Sequence, residues 1–180
     1  MMHPRALLVV ALLAVSLAPS TRRWGEHGHT IAARAAVATL PDAMPTFFRE
    51  AGEHLAFLNP EPDRWRGDNG RGADRAMDGA GAPEHYIDLE LLPASRRQRM
   101  LSAPDRFAFA DSLRRIGERV QQVGVLPFTM LEYTQRLQSG FRAWRSARTP
   151  AQRAFIEARI INDAGILGHY VTDAANPAHT

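Results

Sequence analysis

The segment GHYVTDAANPAHT, Gly168 to Thr180, carries the most chemically loaded spacing in the chain. Residues four apart share one face of a helix, so His169 and Asp173 project side by side. One imidazole nitrogen and one carboxylate oxygen can then reach a common cation. Pro177 ends the helix and drives Asn176 toward an extended conformation, which turns His179 back toward the same region. Nitrogen and oxygen ligands without thiolate suit zinc. A purely structural alternative makes Asp173 the helical salt-bridge partner of an arginine and His169 a satisfied core histidine.

Three further stretches offer ligand chemistry. Trp24-Gly25-Glu26-His27-Gly28-His29 places glycines around a histidine, where the backbone can approach closely, and His29 begins a helix. With Trp24 as the first residue, its α-amine and carbonyl could chelate a cation, provided that the amine is neutral. Alternatively, this stretch is a capping turn with an incidental histidine. Pro83-Glu84-His85-Tyr86-Ile87-Asp88 sets an isolated histidine before an apolar pair, and Asp88 is placed to orient that imidazole. In Pro60-Glu61-Pro62-Asp63-Arg64-Trp65, two prolines stiffen the approach to Asp63.

The elements that must position these residues read as helices, with no run of alternating strand residues. His29 to Leu40 is alanine-rich with apolar residues at helical spacing, and Pro41-Asp42 stops it. A second helix runs from Pro45 to Leu58 and ends at Asn59-Pro60. Pro60 to Gly81, rich in glycine and charge, reads as a long loop of the kind that is usually functional or disordered. Pro104-Asp105 opens a third helix to about Gln122, with Phe107, Leu113, Ile116 and Val120 as its buried stripe. Pro127 opens a fourth to about Arg145. Thr149-Pro150 is an N-cap and first-turn pair for the last helix, whose core face carries Phe155, Ile160 and Ile161 before His169. The expectation is an all-α, single-domain multi-helix bundle.

Bulk properties narrow the function. The 180 residues suit one domain, and 45% apolar content can bury an ordinary core. Met1 to Arg5 is short and basic, Ala6 to Ala18 is apolar, and Ala18-Pro19-Ser20 is small and turn-like, so residues 1–23 read as a secretory signal peptide and 24–180 as the mature domain. That reading places the protein in a secreted or periplasmic setting. The net charge of +3 resides in the leader, which holds Arg5, Arg22 and Arg23 and no acid. From Trp24 onward nineteen bases face nineteen acids, which leaves no global basic footprint for nucleic acid. Without cysteine there are neither disulfides nor thiolate ligands, so any staple must be packing or a metal held by His and Asp.

Taken together, WGEHGH at Trp24 to His29, HYVTDAANPAH at His169 to His179, and PDRW and HYID between them resemble the zinc-dependent phospholipase C and single-strand-specific nuclease superfamily. These are all-α secreted phosphodiesterases with three zinc ions, and the resemblance covers Trp24 to Thr180. It implies that the Trp24 amine and carbonyl, His29 and Asp173 hold one zinc. Asp63, His85 and His169 would hold its neighbour, with Asp173 bridging the two and Asp68 able to substitute for Asp63. His179 would be one ligand of the third zinc. A bridging water would be the nucleophile on phosphorus, oriented by Asp63 and Asp173 as catalytic carboxylates.

Three departures accompany the resemblance. The family supplies further third-zinc ligands from a helix beyond the His179 position, so the sequence given reads as C-terminally incomplete. Arg22-Arg23 directly precedes Trp24, where signal peptidase prefers small residues. The absence of disulfides fits a bacterial-type relative.

The resulting expectation is a zinc-dependent phosphodiester hydrolase, nuclease-like toward single-stranded nucleic acid, and monomeric with no stable protein partner. The alternatives are a phospholipase C acting on phospholipid head groups and a non-catalytic zinc-stabilised helical module, with a metal-free helical bundle as the third. His27 and His54 are read as exposed, Trp65 as a core or loop anchor, and Arg96, Arg97 and Arg99 as a solvated helix end.

Overall fold

A computed structural model describes residues 25–66 and 75–180 of the chain. The expected leader at 1–23, Trp24 and Asp68 lie outside the described residues. Among the described residues the architecture is all-α, and the only extended pairing is an isolated bridge between Ile87 and Gly124.

In chain order the helices are α1 (Glu26–Ala38), α2 (Thr46–Arg49), α3 (Gly52–Leu58), α4 (Glu61–Trp65) and α5 (Arg75–Gly81). Two 3-10 turns follow, Ala82–His85 and Leu89–Leu91. Then come α6 (Arg97–Leu101), α7 (Arg106–Arg114), α8 (Val120–Val123), α9 (Leu126–Arg145) and α10 (Pro150–Ala174). The long helices α9 and α10 pair as an antiparallel hairpin, and α1, α3 and the 82–85 turn pack on α10.

Local chemistry explains the main boundaries. The Thr149 side chain accepts from the Gln152 amide at 3.1 Å and Pro150 fills the first turn, which starts α10. The Asp105 side chain accepts from the Ala108 amide at 2.8 Å to start α7.

Several elements differ from the sequence expectation. The stretch from Pro45 to Leu58 is two helices, α2 and α3, with a turn at Glu50-Ala51 between them. Within the loop expected from Pro60 to Gly81, Glu61–Trp65 and Arg75–Gly81 are helical, the first because proline is tolerated in a first turn where its missing N–H is not needed. The helix expected from Pro104 to Gln122 ends at Arg114, and Gly117 with φ +82° turns the chain before the short α8.

The core has two parts. Ile87, Leu92, Phe109, Leu113, Val123, Leu126, Phe128, Ile166 and Tyr170 belong to the larger cluster, while Phe48, Leu55 and Ile160 form the smaller one. Phe107 is 76% exposed and Phe155 is 75% exposed, so neither lies in the core as expected. The buried phase of α7 is set by Phe109 and Leu113, four apart, which leaves Phe107 on the outer face. On α10, Ile160 is buried and Ile156 half-buried, which places Phe155 on the solvent side.

Two close approaches position the site. At Gly165 and Gly168, a Cβ would overlap Leu58 and Asn59 respectively, so glycine lets the end of α3 lie directly on α10. The 83–88 segment is held by the Val125 amide donating to the Pro83 carbonyl (2.7 Å), Leu126 to Tyr86 (3.1 Å) and Asp88 to Val123 (2.7 Å). Its Ile87 amide donates to the His179 carbonyl at 2.9 Å. No helix among the described residues is long and apolar enough to cross a membrane.

Candidate metal centre

The last turns of α10 carry His169 and Asp173, both buried, one above the other as their four-residue spacing requires. α1 contributes His29, α4 contributes Asp63, the 82–85 turn contributes His85, and the stretch after α10 contributes His179. Six of the seven expected ligands therefore meet at one place. The seventh, Trp24, lies outside the described residues.

Asp173 is the hub. Its Oδ2 lies 3.0 Å from His85 Nδ1 and 3.1 Å from His169 Nε2, while its Oδ1 lies 3.5 Å from His29 Nε2 and 4.0 Å from His179 Nε2. The carboxylate thus turns one oxygen to each of two histidine pairs. Asp63 repeats the pattern at longer range, with Oδ1 3.8 Å from His85 Nδ1 and 3.9 Å from His169 Nε2, and Oδ2 3.8 Å from His29 Nε2. Two overlapping groups, His29 with His169 and Asp173, and Asp63 with His85 and His169, keep their ligand atoms within 4.8 Å of one another.

The imidazoles are fixed from behind. His29 Nδ1 sits 3.2 Å from the side-chain oxygen of Asn59, His169 Nδ1 is 2.9 Å from the backbone carbonyl of Asn59, and His179 Nδ1 is 2.7 Å from the His85 carbonyl. Carbonyl oxygens only accept, so each Nδ1 carries a proton and each ring turns its Nε2 to the cluster. Histidines oriented in this way by an outer acceptor are the usual setting of metal ligands. The His29 and His169 rings stack with centroids 3.9 Å apart, and His85 meets His169 edge-on.

Electrostatics point the same way. Burial holds the His169 pKa below its ordinary value, with His29 and His85 adding to the effect against the opposing pull of Asp173. Burial alone would push Asp173 up, but hydrogen bonds from His169, His29 and His85 outweigh it and hold the carboxyl well below the usual range. The 3.1 Å approach of His169 Nε2 to this buried carboxylate calls for positive charge between the two atoms, which a proton on Nε2 or a bound cation supplies. Among the described residues every basic partner of Asp173 is an imidazole, so the arginine salt bridge allowed by the sequence is absent. Ligand atoms around a tetrahedral zinc lie roughly 3.3 Å apart, given bonds of about 2.0–2.1 Å. The triangle of His85 Nδ1, His169 Nε2 and Asp173 Oδ2, with edges of 2.9, 3.0 and 3.1 Å, is close to that spacing. These buried His and Asp groups can hold a metal ion.

The cluster is open on one side, where the Asp63 side chain is 40% exposed and that of His179 is 27% exposed. A cavity of about 210 Å³ beside His85 is lined in part by Pro62, Trp65, Arg66, Glu84 and Tyr170. Trp65 also packs against the larger core cluster, in keeping with an anchoring role. His27 and His54 are exposed and away from the cluster. His85 directs its Nδ1 to Asp173 and His169, not to Asp88.

Sequence reasoning did not anticipate Asn59, which holds two ligands at once and is itself buried. Its only sequence signal was the Asn-Pro pair that marks the end of α3. Compared with known protein families, curated proteins and solved structures, the chain matches none.

Proposed function

We propose that the chain is a zinc-dependent phosphodiester hydrolase acting on single-stranded nucleic acid. The observation that carries this reading is the set of three histidines, each tied at Nδ1 to a carbonyl oxygen, whose Nε2 atoms converge on a buried carboxylate with one oxygen toward each histidine pair. His29, Asp63, His85, His169 and Asp173 hold the metal, and His179 lies at the open rim. The motifs that resemble the zinc-dependent phospholipase C and nuclease superfamily support the same choice of metal and reaction.

When bound, zinc supplies positive charge for the phosphoryl oxygens and acidifies water so that it can act as a nucleophile near neutral pH. The chain's own residues do the rest. Asp173 and the histidines fix the cluster, while the half-exposed Asp63 orients the attacking water and accepts its proton. The water oxygen would bond to phosphorus as the P–O bond to the leaving sugar oxygen breaks, and that oxygen would take up a proton from solvent at the open side. The cavity is smaller than the roughly 300–1,000 Å³ that encloses a whole small ligand, so a strand lying across the opening suits it better than an engulfed molecule.

The test is elemental zinc analysis of the purified chain, alongside hydrolysis of single-stranded DNA and of phosphatidylcholine, for the wild type and His169→Ala. Zinc and DNA cleavage lost together in the variant support the reading. Head-group release without DNA cleavage assigns a phospholipase instead. Cleavage that persists in His169→Ala without zinc overturns the mechanism, and bound zinc without hydrolysis of either substrate leaves a metal-stabilised helical module.

A further inference from the structure

Beside the candidate metal cluster, and reaching the cavity next to His85, runs a second polar network to which the proposed chemistry assigns no role. Tyr170, fully buried, directly follows His169, and Glu84 directly precedes His85. The Tyr170 hydroxyl donates to Glu84 Oε2 at 2.9 Å. The other oxygen of Glu84 accepts from Arg106 Nη1 at 2.7 Å. Arg106 in turn grips Glu132 through two bonds of 2.6 and 2.7 Å, and its Nη2 reaches the buried Thr129 hydroxyl at 3.3 Å. α10, the 82–85 turn, α7 and α9 are thus joined through one chain of charge-assisted hydrogen bonds.

The Tyr170 ring also stands edge-on to both imidazoles, with centroids 5.5 Å from His85 and 5.3 Å from His169. Side chains next to each ligand in sequence are therefore bonded to each other, and the ring of one of them packs against both imidazoles. We propose that Tyr170, Glu84 and Arg106 act as positioning residues, a clamp that sets the separation of His85 and His169 and thereby tunes how tightly the centre holds its cation. This inference rests on the metal-binding reading of the centre.

The clamp is not what folds the segment. The 83–88 stretch keeps its backbone bonds from Val125 and Leu126, and the Tyr170 ring keeps its place in the core without its hydroxyl. Removing the hydroxyl frees Glu84 from α10 and lets the turn that bears His85 shift against His169. Arg106, Glu84 and Glu132 carry one positive and two negative charges, and the Arg106 fork matches the Glu132 carboxylate in a way that a lysine cannot.

The experiment titrates Co²⁺ alone into the metal-free full chain and reads both its dissociation constant and its visible absorption. It compares the wild type, Tyr170→Phe and Arg106→Lys with Trp144→Phe as a control. Trp144 donates to Glu157 at 2.7 Å in the smaller core cluster, so its replacement costs a comparable hydrogen bond far from the centre. The expected result is Co²⁺ binding weakened about tenfold in Tyr170→Phe, with an altered spectrum, and the wild-type constant in Trp144→Phe despite a lowered melting temperature. Arg106→Lys falls between. Tyr170→Phe with a wild-type spectrum and a constant within about twofold overturns the clamp while leaving the metal centre intact. Absence of Co²⁺ binding in every sample, wild type included, overturns the metal reading and the clamp with it.

Discussion

The backbone carbonyl of Asn59 accepts the Nδ1–H of His169 at 2.9 Å across 110 residues of sequence, while the side chain of the same asparagine accepts from His29. One residue at the end of α3 thus fixes two stacked imidazoles. Asn59→Ala keeps the backbone acceptor but strips His29 of its partner. A buried donor left unpaired costs about 1–3 kcal/mol, and loss of an orienting acceptor weakens metal binding about 10–100-fold. Urea unfolding of the metal-free protein and Co²⁺ titration check the two effects separately.

Glycine tolerance should split by position. A Cβ at Gly168 would overlap the Asn59 amide, whereas a Cβ at Gly79 in α5 meets nothing within 4 Å. Gly168→Ala is expected to destabilise by about 1–3 kcal/mol and to weaken metal binding. Gly79→Ala is expected to stabilise by up to about 1 kcal/mol through helix propensity. Thermal melts of the two variants decide the matter, and equal effects would contradict the close approach of α3 and α10.

Asp88 gives a pH prediction of definite sign. Burial, reinforced by Glu90, raises its pKa above the ordinary carboxyl value. A carboxyl whose folded pKa exceeds its unfolded pKa favours the fold while protonated, and that contribution is lost as pH rises through the folded value. Asp88→Asn should therefore gain melting temperature over the wild type at pH 7 and much less at pH 3. A larger gain at pH 3 would reverse the sign.

Metal removal should be visible as lost stability. A cation that binds only the folded chain stabilises it by about 2.7 kcal/mol when present at a hundred times its dissociation constant. For a domain of this size that corresponds to roughly 5–10 °C. Excess chelator should lower the melting temperature by that amount, and added Zn²⁺ should restore it. An unchanged melt with and without chelator would argue against the centre.

The parts of this structure that depend on neighbours in sequence were legible in advance. Thr149-Pro150 announced α10, and the spacing of His169 and Asp173 announced a shared face. Asp63, His85 and His179 are legible through the family resemblance of their motifs, and they do meet at one cluster with Asp173. What could not be read depends on tertiary contact. Asn59 looks like a helix terminator until Gly168 allows it onto α10. Phe107 and Phe155 fit a helical stripe, but the phase of that stripe is set by Phe109 and Ile160 packing against partners invisible in a local window. Pro60 to Gly81 reads as loop although Glu61–Trp65 and Arg75–Gly81 are helical, because proline and glycine mark loops and helix ends alike in a local window.

The bonds that assemble the metal centre span long stretches of chain: 30 residues from His29 to Asn59, 88 from His85 to Asp173 and 110 from Asn59 to His169. Such contacts must overcome the entropy of closing large loops before they stabilise the fold. During synthesis, His29, Asp63 and His85 leave the ribosome well before α10 exists, so the nascent chain carries ligands with no hub. On the proposed metal reading, cation capture is coupled to completion of the fold, and a chain interrupted before Asp173 holds His29, Asp63 and His85 without the site.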